Sequence, residues 1–495
     1  MDVKLKERKH NRSSLRVGFI HPNLKKDGIG IENFLKGKVI LITGATVFLA
    51  KVLIEKILRS VPDVSKIYLI IRGKDMEDAR QRLKYIVDIE LFHCLKQKHG
   101  EHYEAFMWSK LVTVIGDVAH PTLGIPEDLA VEIAKHVQII VKVAADTAFD
   151  QSKMILRYDV ALQVNAMGPC NLLNFAIKCK ILSSSCIHHQ ALLKDIQEKE
   201  DLWRKRDVLV RKIAWETVCV LSETTVLENE MKLASDYKKL LKPNDVLLIY
   251  ESQNISALIV RPSGILSTYK KPFPGWIEGI KYLLLDPVIV YYGKGKLTGF
   301  PLNPNCSFDI VNSRRHSCEY NVGNNGKACF NVQDSRPEFL PPLFFFFPIV
   351  LEDLFNLIYQ HFKSRPLIDS IGRSIRISEM KVFNSLQNFS NHLWRSSEAA
   401  ATATLPSQFS TTKLIEAIKF KEHAEYLATI YLPQAFHTYW FDDSKTRGLI
   451  ESMSAEEKMK FGCDVKRIDL KDYIVNVHIP GLRRHVLKEK SLSKI

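Results

Sequence analysis

The sequence has no unbroken apolar stretch long enough to cross a bilayer. Its most apolar segment, FLPPLFFFFPIVLEDLF (339–355), is interrupted by Pro341, Pro342 and Pro348 and closed by Glu352 and Asp353. A spanning helix needs roughly 20 apolar residues in a row, so the segment is expected to pack in a core or to touch a membrane peripherally, with Phe344–Phe347 as the wedge. Nor is the N-terminal segment expected to act as a secretory leader. MDVKLKERKHNRSSLRVGFIHPNLKKDG is basic without an apolar centre and is expected to be part of a disordered tail over 1–30. The expected location is cytoplasmic or endoplasmic-reticulum-associated. Cysteine pairing signals are lacking as well: none of the nine cysteines forms a C-x-x-C pair, which argues against a zinc ribbon or disulfide framework and for reduced thiols. Acidic residues are short, 55 against 70 Lys and Arg, for a net charge of +15. That excess favours anionic partners such as phosphorylated cofactors, coenzyme A or acidic lipid. Zinc-finger spacing and RNA-binding aromatic motifs do not occur, so no nucleic-acid partner is expected.

What is present is a regular alternation. KVILIT (38–43) is a continuous apolar run and predicts a buried strand. FLAKVLIEKILRS (48–60) puts Leu49, Val52, Leu53 and Ile57 on one face of a helix. KIYLIIR (66–72), LVTVIGDV (111–118), HVQIIVKVAA (136–145) and SALIVRPSG (256–264) read as further strands. Helices are expected over 78–100 and 165–179. This order predicts an α/β fold, a Rossmann-like doubly wound parallel sheet, followed by a smaller, mainly helical C-terminal domain. The expected divisions are 31–340 for the Rossmann-type domain, interrupted around 181–255 by a charged helical stretch; 341–397 for a connecting helical segment; 398–412 (EAAATATLPSQFSTT) for a linker; and 413–495 for the C-terminal domain. No internal repeat and no metal site is apparent.

The strand-turn-helix at 38–60 is the place for a phosphate-binding turn, because N–H groups and the dipole at a helix start attract a pyrophosphate. By itself this is a weak motif. The chain from FLKGKVILITGATVFLAKVLIEKIL (34–58) onward resembles the alcohol-forming fatty acyl-CoA reductases, plant-like members of the extended short-chain dehydrogenase/reductase superfamily. The resemblance continues through GDVAHPTLGI (116–125), AADTAFD (144–150), RYDVALQVNAMGPCNLLNFAIKC (157–179), RPSGILSTYKKPFPGWIEG (261–279) and DPVIVYYGKGKLTGF (286–300). It resumes in NHLWR (391–395), AEYLATIYLP (424–433) and 441–486. It implies reduction of a long-chain acyl-CoA to a primary alcohol and CoA with two NADPH, through an aldehyde.

Carried over residue by residue, the resemblance implies a cofactor turn of Thr43, Gly44, Ala45, Thr46, Val47, Phe48, Leu49 and Ala50. The family pattern has glycine at the positions of Gly44, Val47 and often Ala50. A methyl at Ala50 is compatible with helix–strand packing, whereas Val47 stands where the backbone should approach the pyrophosphate. Arg72, closing the second strand, favours NADPH over NADH, with Asp75 nearby as a counter-signal. Asp117 resembles the adenine contact, Ala144 and Ala145 a strand end against which the cofactor lies, and Asn165 a position supporting the active site. Each of these also suits a cap or packing role.

The superfamily's Tyr-x-x-x-K helix, which places a proton donor and a Lys on one face, does not occur before the R-P-S strand. Only Tyr292–Lys296 and Tyr359–Lys363 have the spacing. The first lies in YYGKGK, expected to be non-helical, and the second beyond the sheet. Tyr237 and Tyr250 lack a Lys four residues on, and the serines of SSSC (183–186) lack the S-T-A-Y-like setting. Two main readings follow: an acyl-CoA reductase, or a non-catalytic relative acting as a binding partner or a truncated product. The joint departure at Val47 and at the Tyr/Lys pair favours the second. A dehydrogenase or epimerase on a small substrate is a third reading, opposed by the C-terminal resemblance.

Overall fold

The computed structural model describes residues 28–145, 160, 163–182, 184–188, 257–260, 264–280, 285–308, 310–312, 349–402, 411–436, 444–461 and 469–489. The tail over 1–27, most of the charged stretch at 181–255, the Phe344–Phe347 wedge and the place of the expected Tyr/Lys helix lie outside these residues.

Six parallel strands form the central sheet: β1 (Val39–Thr43), β2 (Lys66–Ile71), β3 (Leu111–Ile115), β4 (Ile139–Lys142), β5 (Ser184–His188) and β6 (Ala257–Val260), in spatial order β3-β2-β1-β4-β5-β6. This is the doubly wound order, with its switch point between β1 and β4. β1 shows why the run had to be apolar throughout. Ile40 and Ile42 enter one core with α2 (Phe48–Ser60) and α3 (Met76–Asp88), while Leu41 enters the opposite core with Ile140 and with Leu172 of α7 (Gly168–Ile177). With both faces covered, the side-chain period of two leaves no polar face.

The helix α2 departs from the amphipathic expectation. Its polar face is covered too, so Lys51, Glu55 and Lys56 are buried along with its leucines and isoleucines. Each finds a partner: Lys51 pairs with Glu278 at 2.5 Å and Glu55 with Arg59 at 2.6 Å. Lys56 donates to the Lys460 carbonyl and lies over the Phe461 ring. The expected helix at 78–100 is also broken, at Ile89, into α3, a 3-10 turn (Glu90–Phe92) and α4 (His93–His99). The break lets Val87, Leu91, Phe92 and Leu95 all reach the α2 core.

α1 (Ile31–Leu35) precedes β1, α5 (Tyr103–Lys110) precedes β3, α6 (Glu127–His136) precedes β4, and α7 spans Gly168–Ile177. A second core is built from α8 (Asp286–Gly293), β8 (Gly299–Pro301), α9 (Leu351–Ser364), α10 (Leu386–Thr402), α11 (Thr411–Phe436) and the helical run 470–486. Among the shorter pairings, β7 (Gly264–Leu266) aligns in parallel with Ile310–Asn312, and β8 with Lys381–Phe383. Two expectations are corrected here. Glu398–Thr402 and Thr411–Thr412, read as linker, are helical, because an alanine-rich run is an excellent helix former and not merely a low-complexity spacer. Tyr291 and Tyr292 of YYGKGK form the last turn of α8.

The C-terminal residues contribute to both cores. Leu449, Met453 and Phe461 join the α2 core, whereas Ala428, Tyr431 and Ile479 join the second. Gly28–Gly30, placed in the tail by sequence, are fastened by Glu457. Its carboxylate accepts from Ile29 N, Gly30 N and Ile31 N at 2.6–2.9 Å, and from Ser454 N at 3.0 Å.

Candidate cofactor site

The C-terminal ends of β3, β2, β1 and β4 come side by side because the strands are parallel and in register, Thr43 facing Ile70 and Lys142. The residues that follow them are Asp117, Arg72, Gly44 and Ala144. Sequence positions spread over a hundred residues therefore meet at one edge, the switch-point crevice where ligands of such sheets bind.

Thr43 is fully buried, and its hydroxyl accepts from Ala144 N at 3.4 Å. Gly44 has φ 73°, and a Cβ built there would lie 2.6 Å from both Ala144 N and Cα. Backbone conformation and space both require glycine. Val47 N donates to Gly44 O at 2.9 Å to close the turn, and Lys51 N donates to Val47 O to open the helix. Val47 itself has φ −78° and ψ 144°, a region open to any residue. The valine thus fits the turn without backbone strain, and its half-buried side chain bears on clearance alone. It offers no side-chain cap, and the first turn of α2 holds no acidic residue, so the positive end of the helix dipole meets no carboxylate of its own helix.

Thr46 is exposed, while Ala45, Leu49 and Ala50 are buried. Phe48 stacks on Trp276 with centroids 5.0 Å apart, tying the turn to the loop after β7. Arg72 is exposed just past β2. The neighbouring Asp75 caps α3, accepting from Asp78 N at 2.8 Å, which gives that carboxylate a structural use. Asp117 Oδ1 accepts from Ala119 N at 3.0 Å, and Asp117 N donates to Leu123 O. The Asp117 loop is held to α7 by Asn171, whose Nδ2 donates to Val118 O at 2.9 Å. Ala144 and Ala145 are half-buried, and Asn165 sits half-buried in the π-helical turn Gln163–Met167.

One residue here escaped the sequence reading. Lys142, last in β4, is 1 % exposed, and its amine donates to Ala144 O at 2.7 Å. Ala144 is thereby held on both sides, N–H by Thr43 and carbonyl by Lys142. Burial pushes the Lys142 amine down to about 7, with Cys170 of α7 acting weakly the other way. The signal was a lysine interrupting the apolar run QIIVKVAA. A second constellation had no sequence signal, its members lying about 200 residues apart. His478 Nε2 meets Asp286 Oδ1 at 3.0 Å and its Nδ1 meets Ser267 Oγ at 3.2 Å, while Tyr473 OH donates to Ser267 O. All four side chains are buried, so this network ties the 470–486 run to α8 and β7. The two Tyr/Lys pairs lie elsewhere: Tyr292 is in the second core, donating to Ser378 O at 2.6 Å, and Tyr359 packs against that core.

Residues 42–313 match the NAD-binding family described as male sterility protein, and 409–489 match the companion Sterile family. The chain is 39% identical to fatty acyl-CoA reductase 2, chloroplastic, of Arabidopsis thaliana, over 94% of this chain and 81% of that protein. The chain belongs to the fatty acyl-CoA reductase family. As a fatty acyl-CoA reductase relative it is also 32% identical to Arabidopsis fatty acyl-CoA reductase 1 and 28% identical to the alcohol-forming fatty acyl-CoA reductase of Simmondsia chinensis, covering 92% of this chain and 99% of each. The family is one of oxidoreductases, and its NAD-binding region calls for a nicotinamide cofactor. These likenesses stand with the reductase reading and not with the non-catalytic one. Among solved structures, the terminal reductase domain of the myxalamid pathway aligns with a TM-score of 0.54 at 13% identity, covering 91% of this chain and 92% of that one. A mycobacterial nonribosomal peptide synthetase reductase domain aligns at 0.53 and 14%. Both show the shared fold. No described helix is long and apolar enough to cross a membrane.

Proposed function

We propose that this protein is an NADPH-dependent reductase of long-chain fatty acyl-CoA, releasing a primary alcohol and CoA. The observation that carries the reading is the acid-free start of α2, with no side-chain cap, at the switch point of the sheet. The residues fit a dinucleotide: α2 would receive the pyrophosphate, Arg72 the 2′-phosphate, Asp117 the adenine, and the short side chains of Ala144 and Ala145 would let the cofactor lie close. The cofactor, when bound, supplies hydride to the thioester carbonyl carbon and then to the aldehyde, so that two NADPH and two protons yield one alcohol and free CoA. The chain's own part is to fix that geometry. Thr43 and Lys142 hold Ala144, Asn171 holds the Asp117 loop, and the Phe48–Trp276 stack holds the turn.

The test is fluorescence titration of the purified protein with NADPH and NADH, followed by chromatography of products formed from palmitoyl-CoA. NADPH binding in preference to NADH, with hexadecanol formed, is the expected result. Binding without alcohol would return the chain to the non-catalytic reading, and absence of binding would remove the cofactor assignment.

A further inference from the structure

Residues 367–375 form a tight hairpin at the surface of the second core. Ile368 bridges Ser374 in antiparallel fashion, Asp369 N donates to Arg373 O at 2.9 Å, and Ile375 N donates to Leu367 O at 2.8 Å. The tip is set by Asp369, whose Oδ1 accepts from Ile371 N at 3.0 Å and Arg373 N at 2.8 Å. The Arg373 guanidinium closes on the same carboxylate, and Gly372 takes the left-handed φ of 85°. The N–H of Arg373, ahead of its guanidinium, holds the Asp369 carboxyl below the usual range. The base is equally fixed: Leu367 is buried, and Arg483, itself paired with Glu489, donates to Arg365 O at 2.6 Å.

This rigid frame presents Ile368 and Ile371 outward, 53 % and 68 % exposed. Turn tips are ordinarily built from Gly, Asn, Asp, Ser or Pro, so the isoleucine at 371 is not needed for the turn. In the sequence flanking the hairpin Lys363, Arg365, Arg376 and Lys381 are exposed, against the exposed Glu379 and the already engaged Asp369. The hairpin contains no aromatic residue, whereas protein-binding hot spots favour Tyr and Trp as well as Arg.

We infer that this hairpin is a membrane-docking device, its isoleucines entering the boundary of an anionic lipid bilayer and its arginines and lysines meeting the headgroups. Aliphatic tip and cationic collar supply the two weak signals that together give reversible interfacial binding. The inference stands on the hairpin and does not require acyl-CoA reduction.

The experiment is co-sedimentation of the full chain with vesicles of phosphatidylcholine containing phosphatidylserine, and with phosphatidylcholine alone. Binding is expected to the anionic vesicles, weakening with added salt. Arg376→Gln should lower the affinity about fivefold, the worth of one cationic side chain near a charged surface. The double variant Ile368→Asp with Ile371→Asp should lose binding while keeping the wild-type melting temperature. Ile371→Trp adds a direct readout, with fluorescence quenched by brominated lipid chains. A wild-type protein that does not bind anionic vesicles, a double variant that binds them as well as wild type, or an unquenched Trp on a vesicle-bound protein would each overturn the inference. The NADPH titration is read separately, so failure of either proposal leaves the other intact.

Discussion

Replacing Lys142 with methionine is expected to stabilise the protein, by an amount that shrinks as the pH rises. The amine titrates at about 7 in the fold against 10.5 for an unburied lysine. Below about 7 both folded and unfolded chains carry the proton, and the fold bears the full cost of the buried charge, about 5 kcal/mol. From there to about 10.5 the unfolded chain binds the proton and the folded one does not. Stability therefore rises with pH through that window, and the cost vanishes above it. Methionine matches the shape of the aliphatic stem but gives up the 2.7 Å bond to Ala144 O, which costs about 1 kcal/mol. The net gain is then about 4 kcal/mol at pH 6, about 2 kcal/mol at pH 8 and close to zero near pH 10.

Differential scanning fluorimetry and urea denaturation of both proteins across that range would measure the gap, with several degrees expected at pH 6. Lys142→Arg is the control: a guanidinium cannot shed its proton, so it should fall increasingly below wild type as the pH rises above about 7. A methionine variant that is less stable than wild type throughout, or a gap independent of pH, would refute the reasoning. Either would mean that the amine stays charged and compensated in the fold.

Val47→Gly should tighten NADPH binding severalfold with little loss of stability, since φ −78° suits both residues; a fluorescence titration reads it, and an unchanged dissociation constant would mean that the isopropyl group stands clear of the pyrophosphate. Glu457→Ala removes the acceptor for four backbone N–H groups and should cost about 3 kcal/mol, seen as a lower melting temperature and lost hydrogen-exchange protection at 29–31. Burial works to raise the Glu457 carboxyl, but the N–H groups of Ile31, Ser454, Ile29 and Gly30 prevail and lower it. This clasp is accordingly whole above the usual carboxylate range and lost as the pH falls below it. His478→Ala leaves buried Asp286 without that partner and should destabilise by about 3–5 kcal/mol in urea denaturation.

How far the sequence could be read depends on where each residue's partner lies. β1 was legible because a parallel strand covered on both faces must be apolar at every position. α2 was legible as a helix and illegible as a buried one. Its period showed a polar face, and the partners that allow that face to be covered are Glu278 and the Lys460 carbonyl, more than 220 residues away. Lys142 was passed over because a strand reading averages over its residues, and a buried amine shows itself only through the Ala144 carbonyl beside it. The alanine-rich 398–402 looked like a spacer because low complexity is shared by linkers and by good helices. The buried Ser267–His478–Asp286 network could not be found from spacing at all.

The turn at 43–50 shows why a motif should be divided into its separate physical demands. A glycine can be required for its backbone angle, for the space its missing Cβ leaves inside the fold, or for the space it leaves to a ligand. Gly44 meets the first two, with φ 73° and Ala144 at 2.6 Å from a built Cβ. Folding alone would therefore preserve it whether or not a cofactor binds. Position 47 meets neither, since its backbone is extended and its side chain is half-buried. A valine there leaves the strand, the turn and the helix start unchanged, and what it alters is the clearance above the N-terminus of α2. In the proposed site that valine would bear on how tightly a dinucleotide is held, and it carries no weight against the fold or against the reductase family to which the chain belongs.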